Sequence, residues 1–190
     1  IAGNRNEDIE TFKVDSEPPK TIKSFDGPQK NENGVEWIDG VTLVNLTAID
    51  PEPHPSGVDE TLYMNKLAED AVRELELEVD PEKPCWEPDF CELVLTKVKN
   101  NLDHPYISDK WQLYEGPFQK EEESCHVLVY HSNDSLGNTE DMKVNCFFVD
   151  KTPPELDKEV GDPKVDETNE EEVGDGRVSW ITSQSHSGTS

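Results

Sequence analysis

Residues 12–19 read FKVDSEPP and residues 147–154 read FFVDKTPP, nearly the same text 135 positions apart. The match extends beyond these eight residues. At that offset Phe12, Val14, Asp15, Pro18, Pro19, Lys23 and Pro28 fall on Phe147, Val149, Asp150, Pro153, Pro154, Lys158 and Pro163. After an insertion of eight residues Trp37-Ile38 falls on Trp180-Ile181. GNRNEDIETFKVD (3–15) parallels GNTEDMKVNCFFVD (137–150) with a one-residue gap. A fixed internal period marks tandem architecture, in which one supersecondary unit recurs along the chain.

The phase of the repeat divides the chain. Residues 1–15 read as the terminal strand of a preceding repeat. Residues 16–150 read as one complete unit with an insertion at 65–108, and 151–190 as a linker and the first strand region of the next repeat. Two arrangements would complete such overhangs. Either the units follow one another in one long chain, or copies of the chain exchange strands, since an unpaired strand adds readily to an open sheet edge. A single domain with unstructured tails is the competing expectation, and it leaves the matching ends as coincidence.

Charge narrows the partners. The chain carries 43 Asp and Glu against 17 Lys and Arg, a formal net charge of −26. That excess repels nucleic-acid phosphates and anionic lipid, so neither is an expected partner. It suits a solvated exterior or cation binding. No run approaches the ~20 apolar residues that span a bilayer, and no signal-peptide pattern opens the sequence.

Four cysteines bear on the compartment. Cys85 and Cys91 flank WEPDF, a loop that a disulfide would close. A hairpin symmetric about NDSLGN (133–138) would set Cys125 opposite Cys146, within bridging distance. Two such bridges predict an oxidising, extracellular location at the cell surface; four reduced structural cysteines are the alternative. Asn45-Leu-Thr and Asn133-Asp-Ser are glycosylation acceptor patterns that suit the same location.

The complete unit reads as short strands separated by turn signals. Val-Asp-x-x-Pro-Pro is a stiff, extended lead-in. VTLVNLTAID (41–50) is apolar on both faces, as a central strand would be. VDETLYM (58–64), WQLYEGPF (111–118), CHVLVYHS (125–132) and MKVNCFFV (142–149) are further strands, the last two forming a hairpin. Within the insertion, Leu67, Ala71, Val72 and Leu75 have helical spacing, whereas CELVLTKV (91–98) reads as a strand. Val127–Tyr130 is apolar on both faces, so the insertion is expected to cover its outer side. The fold class predicted is all-β: an Ig-like antiparallel β-sandwich with an inserted α/β segment.

TAIDPEPHPSGVDETLY, WQLYEGPF, HVLVYHSNDSLGN and FFVDKTPP, in this order, resemble the immunoglobulin-like repeats of bacterial and archaeal extracellular proteins. The resemblance covers residues 12–64 and 111–163; the insertion and the cysteines depart from it. It implies a sandwich repeated in tandem on S-layer, adhesin or sheath-type surfaces, partnered by copies of itself or by cell-surface glycans, and usually without catalysis.

The residues themselves offer little for an enzyme. Five histidines lack metal-protease spacing, and no Gly-rich phosphate loop is present. Calcium is the better cofactor hypothesis. Asp50, Asp59 and Asp134 sit at strand ends and turns, and Asp15 and Asp150 at the junctions between units; hard oxygen ligands clustered at loop ends are what Ca²⁺ requires. Turn capping by the same aspartates is the simpler reading. A filament, sheath or surface layer is therefore the expected function. The alternative is a carbohydrate- or cell-binding adhesin whose insertion presents Trp86 and Phe90.

Overall fold

The computed structural model describes residues 8–79, 87–156, 164–166 and 179–181, the last two stretches by their backbone alone. Two units are distinguished, Ile1–Lys151 and Thr152–Ser190. In chain order the first contains β1 (Lys20–Asp26), β2 (Gln29–Glu32), β3 (Val35–Ile38), β4 (Leu43–Ile49) and β5 (Val58–Leu67). The helices α1 (Ala68–Glu74), α2 (Pro88–Lys99) and α3 (Pro105–Ser108) follow. They precede β6 (Gln112–Leu113), β7 (Phe118–Gln119), β8 (Ser124–Asp134) and β9 (Lys143–Val149).

These strands form two sheets, β1-β4-β7 and β2-β3-β9-β8-β5-β6. The class is mostly β and sandwich-like. Neighbours are antiparallel except β3 and β9, which run parallel with Trp37 opposite Phe148 and Ile38 opposite Val149. Period-2 alternation explains the packing between the sheets. Val44 and Leu46 of β4 meet Leu128 and Tyr130 of β8 and Phe147 and Val149 of β9, all buried, while Phe25 packs edge-on against Phe147 at 5.5 Å. WQLYEGPF is not one strand: it contributes the two-residue β6 and, at Phe118, the start of β7, and between them the Tyr114 hydroxyl accepts a hydrogen bond from the Leu46 N–H at 3.1 Å.

β4 is central in its sheet, but it is not buried on both faces. Its outward Thr47 is exposed, Ile49 is 58% exposed, and Ile22 on β1 is 62% exposed. Among the described residues no further layer covers that side. The opposite situation holds for β8. The other face of the six-stranded sheet, with Val127, Val129, Val144 and Phe148, is covered by Ala68, Ala71, Phe90, Val94, Val98 and Ile107 of the three helices. The insertion therefore supplies the cover that the two-faced apolar run of β8 demands.

That insertion differs from expectation in its content. Residues 91–98 belong to helix α2, and the segment after β5 is helical rather than α/β. The physical reason is visible in the buried set. Phe90, Cys91, Val94 and Val98 recur at helical spacing, Pro88 occupies the first turn with Asp89, and Lys97 and Lys99 lie in the last turn, where the helix dipole favours them.

The disulfide also departs from expectation. Cys91 on α2 is bonded to Cys125 on β8, with their Cα atoms 6.0 Å apart, and Cys146 is a free thiol. Cys125 and Cys146 do not pair because the β8–β9 hairpin is not symmetric about its loop. Its register sets Cys125 opposite Phe148 and Val127 opposite Cys146, leaving the two cysteines diagonal. Cys91 is thus taken from its expected partner Cys85, which lies outside the described residues.

The second unit, taken by itself, contains one described pair, β10 (Lys164–Asp166) and β11 (Ser179–Ile181). Lys164 stands opposite Ile181, Val165 opposite Trp180 and Asp166 opposite Ser179. In the first unit Gln29 stands opposite Ile38, Lys30 opposite Trp37 and Asn31 opposite Glu36. The sequence repeat maps the one set of pairs onto the other residue for residue. The same hairpin register recurs, with the eight extra residues confined to the connection.

Candidate metal centre

Three carboxylates from distant parts of the sequence meet at one end of the first unit. One oxygen each of Asp15, Asp50 and Asp134 lies within 4.8 Å of the other two. Local chemistry places each of them. Asp50 follows the last residue of β4, and its Oδ2 accepts the Gly57 N–H at 2.6 Å, folding back the proline-rich loop PEPHPSG; Gly57 holds φ +92°, a conformation only glycine adopts freely. Asp134 ends β8. Its Oδ1 accepts the N–H groups of Leu136 and Asn138, and its Oδ2 accepts the Asn138 side-chain amide at 2.7 Å.

Asp15 reaches the site from the lead-in that precedes β1. Its Oδ2 accepts the Ser56 N–H at 2.7 Å, its Oδ1 accepts the Glu17 N–H at 3.2 Å, and its own carbonyl accepts from Asn138 Nδ2 at 3.4 Å. The stiff Val-Asp-x-x-Pro-Pro segment is therefore seated on two loops of the sandwich, the β4–β5 loop and the β8–β9 turn.

Electrostatics sharpen the picture. Asp134 is 1% exposed. Burial works against its charge, but the side chain of Asn138 and the N–H groups of Asn138 and Leu136 outweigh it and hold the carboxyl below its ordinary range. It stays ionised beside two other acids. Asp50 Oδ1 is buried and has no hydrogen-bond partner, and the Ser56 side chain adds to the downward shift of Asp134. Turn capping accounts for Asp134 and for Asp50 Oδ2. It leaves Asp50 Oδ1 without a role, and an unpaired buried oxygen is costly. Three carboxylates and a nearby hydroxyl are a hard-oxygen donor set of the kind a divalent cation such as Ca²⁺ takes, with water completing six to eight ligands at ~2.4 Å.

Three of the five aspartates singled out in the sequence thus converge. Asp59 does not: it is exposed on β5. Asp150 does not either. It follows β9 at the opposite end of the unit, where its N–H donates to the Ile38 carbonyl at 2.9 Å. Asn45 and Asn133, the two glycosylation acceptors, are both partly exposed on strands. Phe90, proposed as an exposed binding ring, is only 4% exposed, and Trp86 lies outside the described residues.

Sequence reasoning missed Ser56 and Glu140. Ser56 was hidden inside a turn signal. Glu140, 6% exposed, accepts the Thr21 N–H at 3.1 Å, the Ser132 N–H at 3.0 Å, the Thr21 hydroxyl and the Lys143 ammonium at 2.6 Å. It ties β1 of the small sheet to β8 and β9 of the large one, and nothing in NTEDMK distinguishes it from its acidic neighbours. Asn138 was signalled by the Asp-x-x-Gly-Asn turn.

Three of the described histidines are occupied structurally, and His54 is exposed in the PEPHPSG loop. His126 lies between Asn65 and the Glu122 carbonyl, His104 caps α3, and His131 packs edge-on against Trp111. No described helix is long and apolar enough to cross a membrane. No family model, curated protein or solved structure matches the chain.

Proposed function

We propose that this chain is a building unit of an extracellular filament, sheath or surface layer, made from tandem or strand-exchanged Ig-like β-sandwiches. Its Val-Asp-x-x-Pro-Pro joints are stiffened by Ca²⁺ held among Asp15, Asp50 and Asp134. The observation that carries the reading is the recurrence of one hairpin register in both units, β2 with β3 and β10 with β11, at the offset the sequence repeat dictates.

Two further observations support it. Phe147 and Val149 are buried in β9, whereas their counterparts Phe12 and Val14 are 83% and 64% exposed. A strand-like sequence with its apolar side chains in solvent is what the final strand of another unit looks like outside its own sheet. The lead-in and the exit also lie at opposite poles of the unit. Asp15 sits beside Asn138 at the tip of the β8–β9 hairpin, and Lys151 donates to Glu123 at the other end.

Calorimetry tests the metal, and mass tests the assembly. Ca²⁺ at about 100 times its Kd is expected to raise the melting midpoint by about 5–10 °C, and Asp50→Asn to remove the shift. A midpoint unmoved by a chelator sinks the calcium centre. A native assembly that dissociates only into compact monomers, with residues 8–15 freely cleaved in the presence of Ca²⁺, sinks the joint.

A further inference from the structure

Three sulfurs meet in the apolar cluster between α2 and the large sheet. The Sγ atoms of Cys91, Cys125 and Cys146 all lie within 4.8 Å of one another, yet only Cys91 and Cys125 are bonded. We propose that Cys146 is a resident exchange thiol, which moves the covalent fastening of α2 from β8 to β9 by thiol–disulfide exchange.

Geometry selects the sulfur attacked. Cys125 and Cys146 occupy diagonal positions on adjacent antiparallel strands, where Cα atoms stand roughly 7–8 Å apart, beyond the usual 4.4–6.8 Å span of a disulfide. Cys91 approaches both strands from the helix above and is not bound by that register. Its neighbours in the apolar cluster come from β8 and from β9, including Val127, Val144 and Phe148. Cys146 loses its proton to solvent, and its thiolate attacks Sγ of Cys91. The Cys91–Cys146 bond forms as the Cys91–Cys125 bond breaks, and the electron pair leaves on Cys125 Sγ, which takes up a proton. No oxidant or reductant is consumed.

Burial sets the rate. Burial pushes the Cys146 thiol up to about 11, with Lys23 of β1 and Lys99 of α2 opposing that shift and Glu36 of β3 and Glu92 of α2 adding to it. The thiolate is therefore scarce at neutral pH, and exchange is slow there and accelerates as pH rises.

Cys85 lies outside the described residues, so the test removes it. Cys85→Ser protein is held without reductant at several pH values between 7 and 10, quenched in acid, digested and mapped by mass spectrometry. The expected result is a Cys91–Cys146 linkage appearing beside Cys91–Cys125, at a rate rising about tenfold per pH unit. Cys85→Ser/Cys146→Ser protein should keep Cys91–Cys125 throughout. Amide exchange confirms in both variants that α2 stays folded on the sheet. Cys91–Cys125 as the sole linkage of the Cys85→Ser protein at every pH overturns the proposal, as does a new linkage joining Cys125 to Cys146.

Discussion

The large sheet is faced by two layers held in different ways. The small sheet is joined to it by an apolar seam around Phe147 and by the Glu140 network, in which one carboxylate receives four donors from β1, β8 and the Lys143 side chain. The helical layer is joined by an apolar seam around Val127 and Phe148 and by the Cys91–Cys125 bond. Each layer buries hydrocarbon, and that alone gives adhesion without fixed position. The contrast lies in what adds position. One fastening is electrostatic and answers to pH; the other is covalent and answers to redox conditions.

Four measurements break or sharpen this contrast. Full reduction removes a cross-link between residues 34 apart, which loop-closure entropy puts at about 3–4 kcal/mol of stability. Hydrogen exchange should quicken in α1 and α2 while β1 keeps its protection; equal loss in both layers would erase the distinction. Glu140→Ala leaves the Thr21 and Ser132 N–H groups unsatisfied, for a loss of about 2–3 kcal/mol by chemical denaturation, with β1 rather than α2 exposed first.

Acid should imitate that substitution more weakly. Burial raises the Glu140 carboxyl, but hydrogen bonds from Lys143 and Thr21 win and its net shift is downward. The stability it contributes is present above the ordinary glutamate range near pH 4.3 and is lost as pH falls through the depressed value. Stability followed by tryptophan fluorescence from pH 6 to pH 2 should fall in that window for the parent and stay flatter for Glu140→Ala. The smallest effect is expected at Ile22→Thr on the open face of β1, within about 0.5 kcal/mol; a larger loss would mean that another surface covers that face.

The core strands β4, β5, β8 and β9 and the β8–β9 hairpin were legible because runs of apolar and β-branched residues between turn signals mark strands, and the cover over β8 was legible because a strand apolar on both faces needs two neighbours. The identity of that cover was not. CELVLTKV has apolar residues at both strand and helix spacing, and Pro88 with the lysines of the last turn decides for the helix. Cysteine pairing failed on register. A shift of two residues, set within the Asp134–Asn138 turn, moves Cys146 from opposite Cys125 to opposite Val127. In the acidic cluster, Asp15, Asp50 and Asp134 were each visible beside a turn or a proline pair. Asp59 and Asp150 carried the same local signals, and only the tertiary fold separates the two groups.

The directions of β1 and β9 have a mechanical consequence. The chain comes in beside Thr21 at one pole and leaves after Val149 at the other, and both strands run from the first pole toward the second. Tension applied through the two ends therefore slides β1 along β4, and β9 along β8 and β3, straining every rung of those ladders together. A module loaded in this way resists stretching by shear, and cannot be peeled open one hydrogen bond at a time.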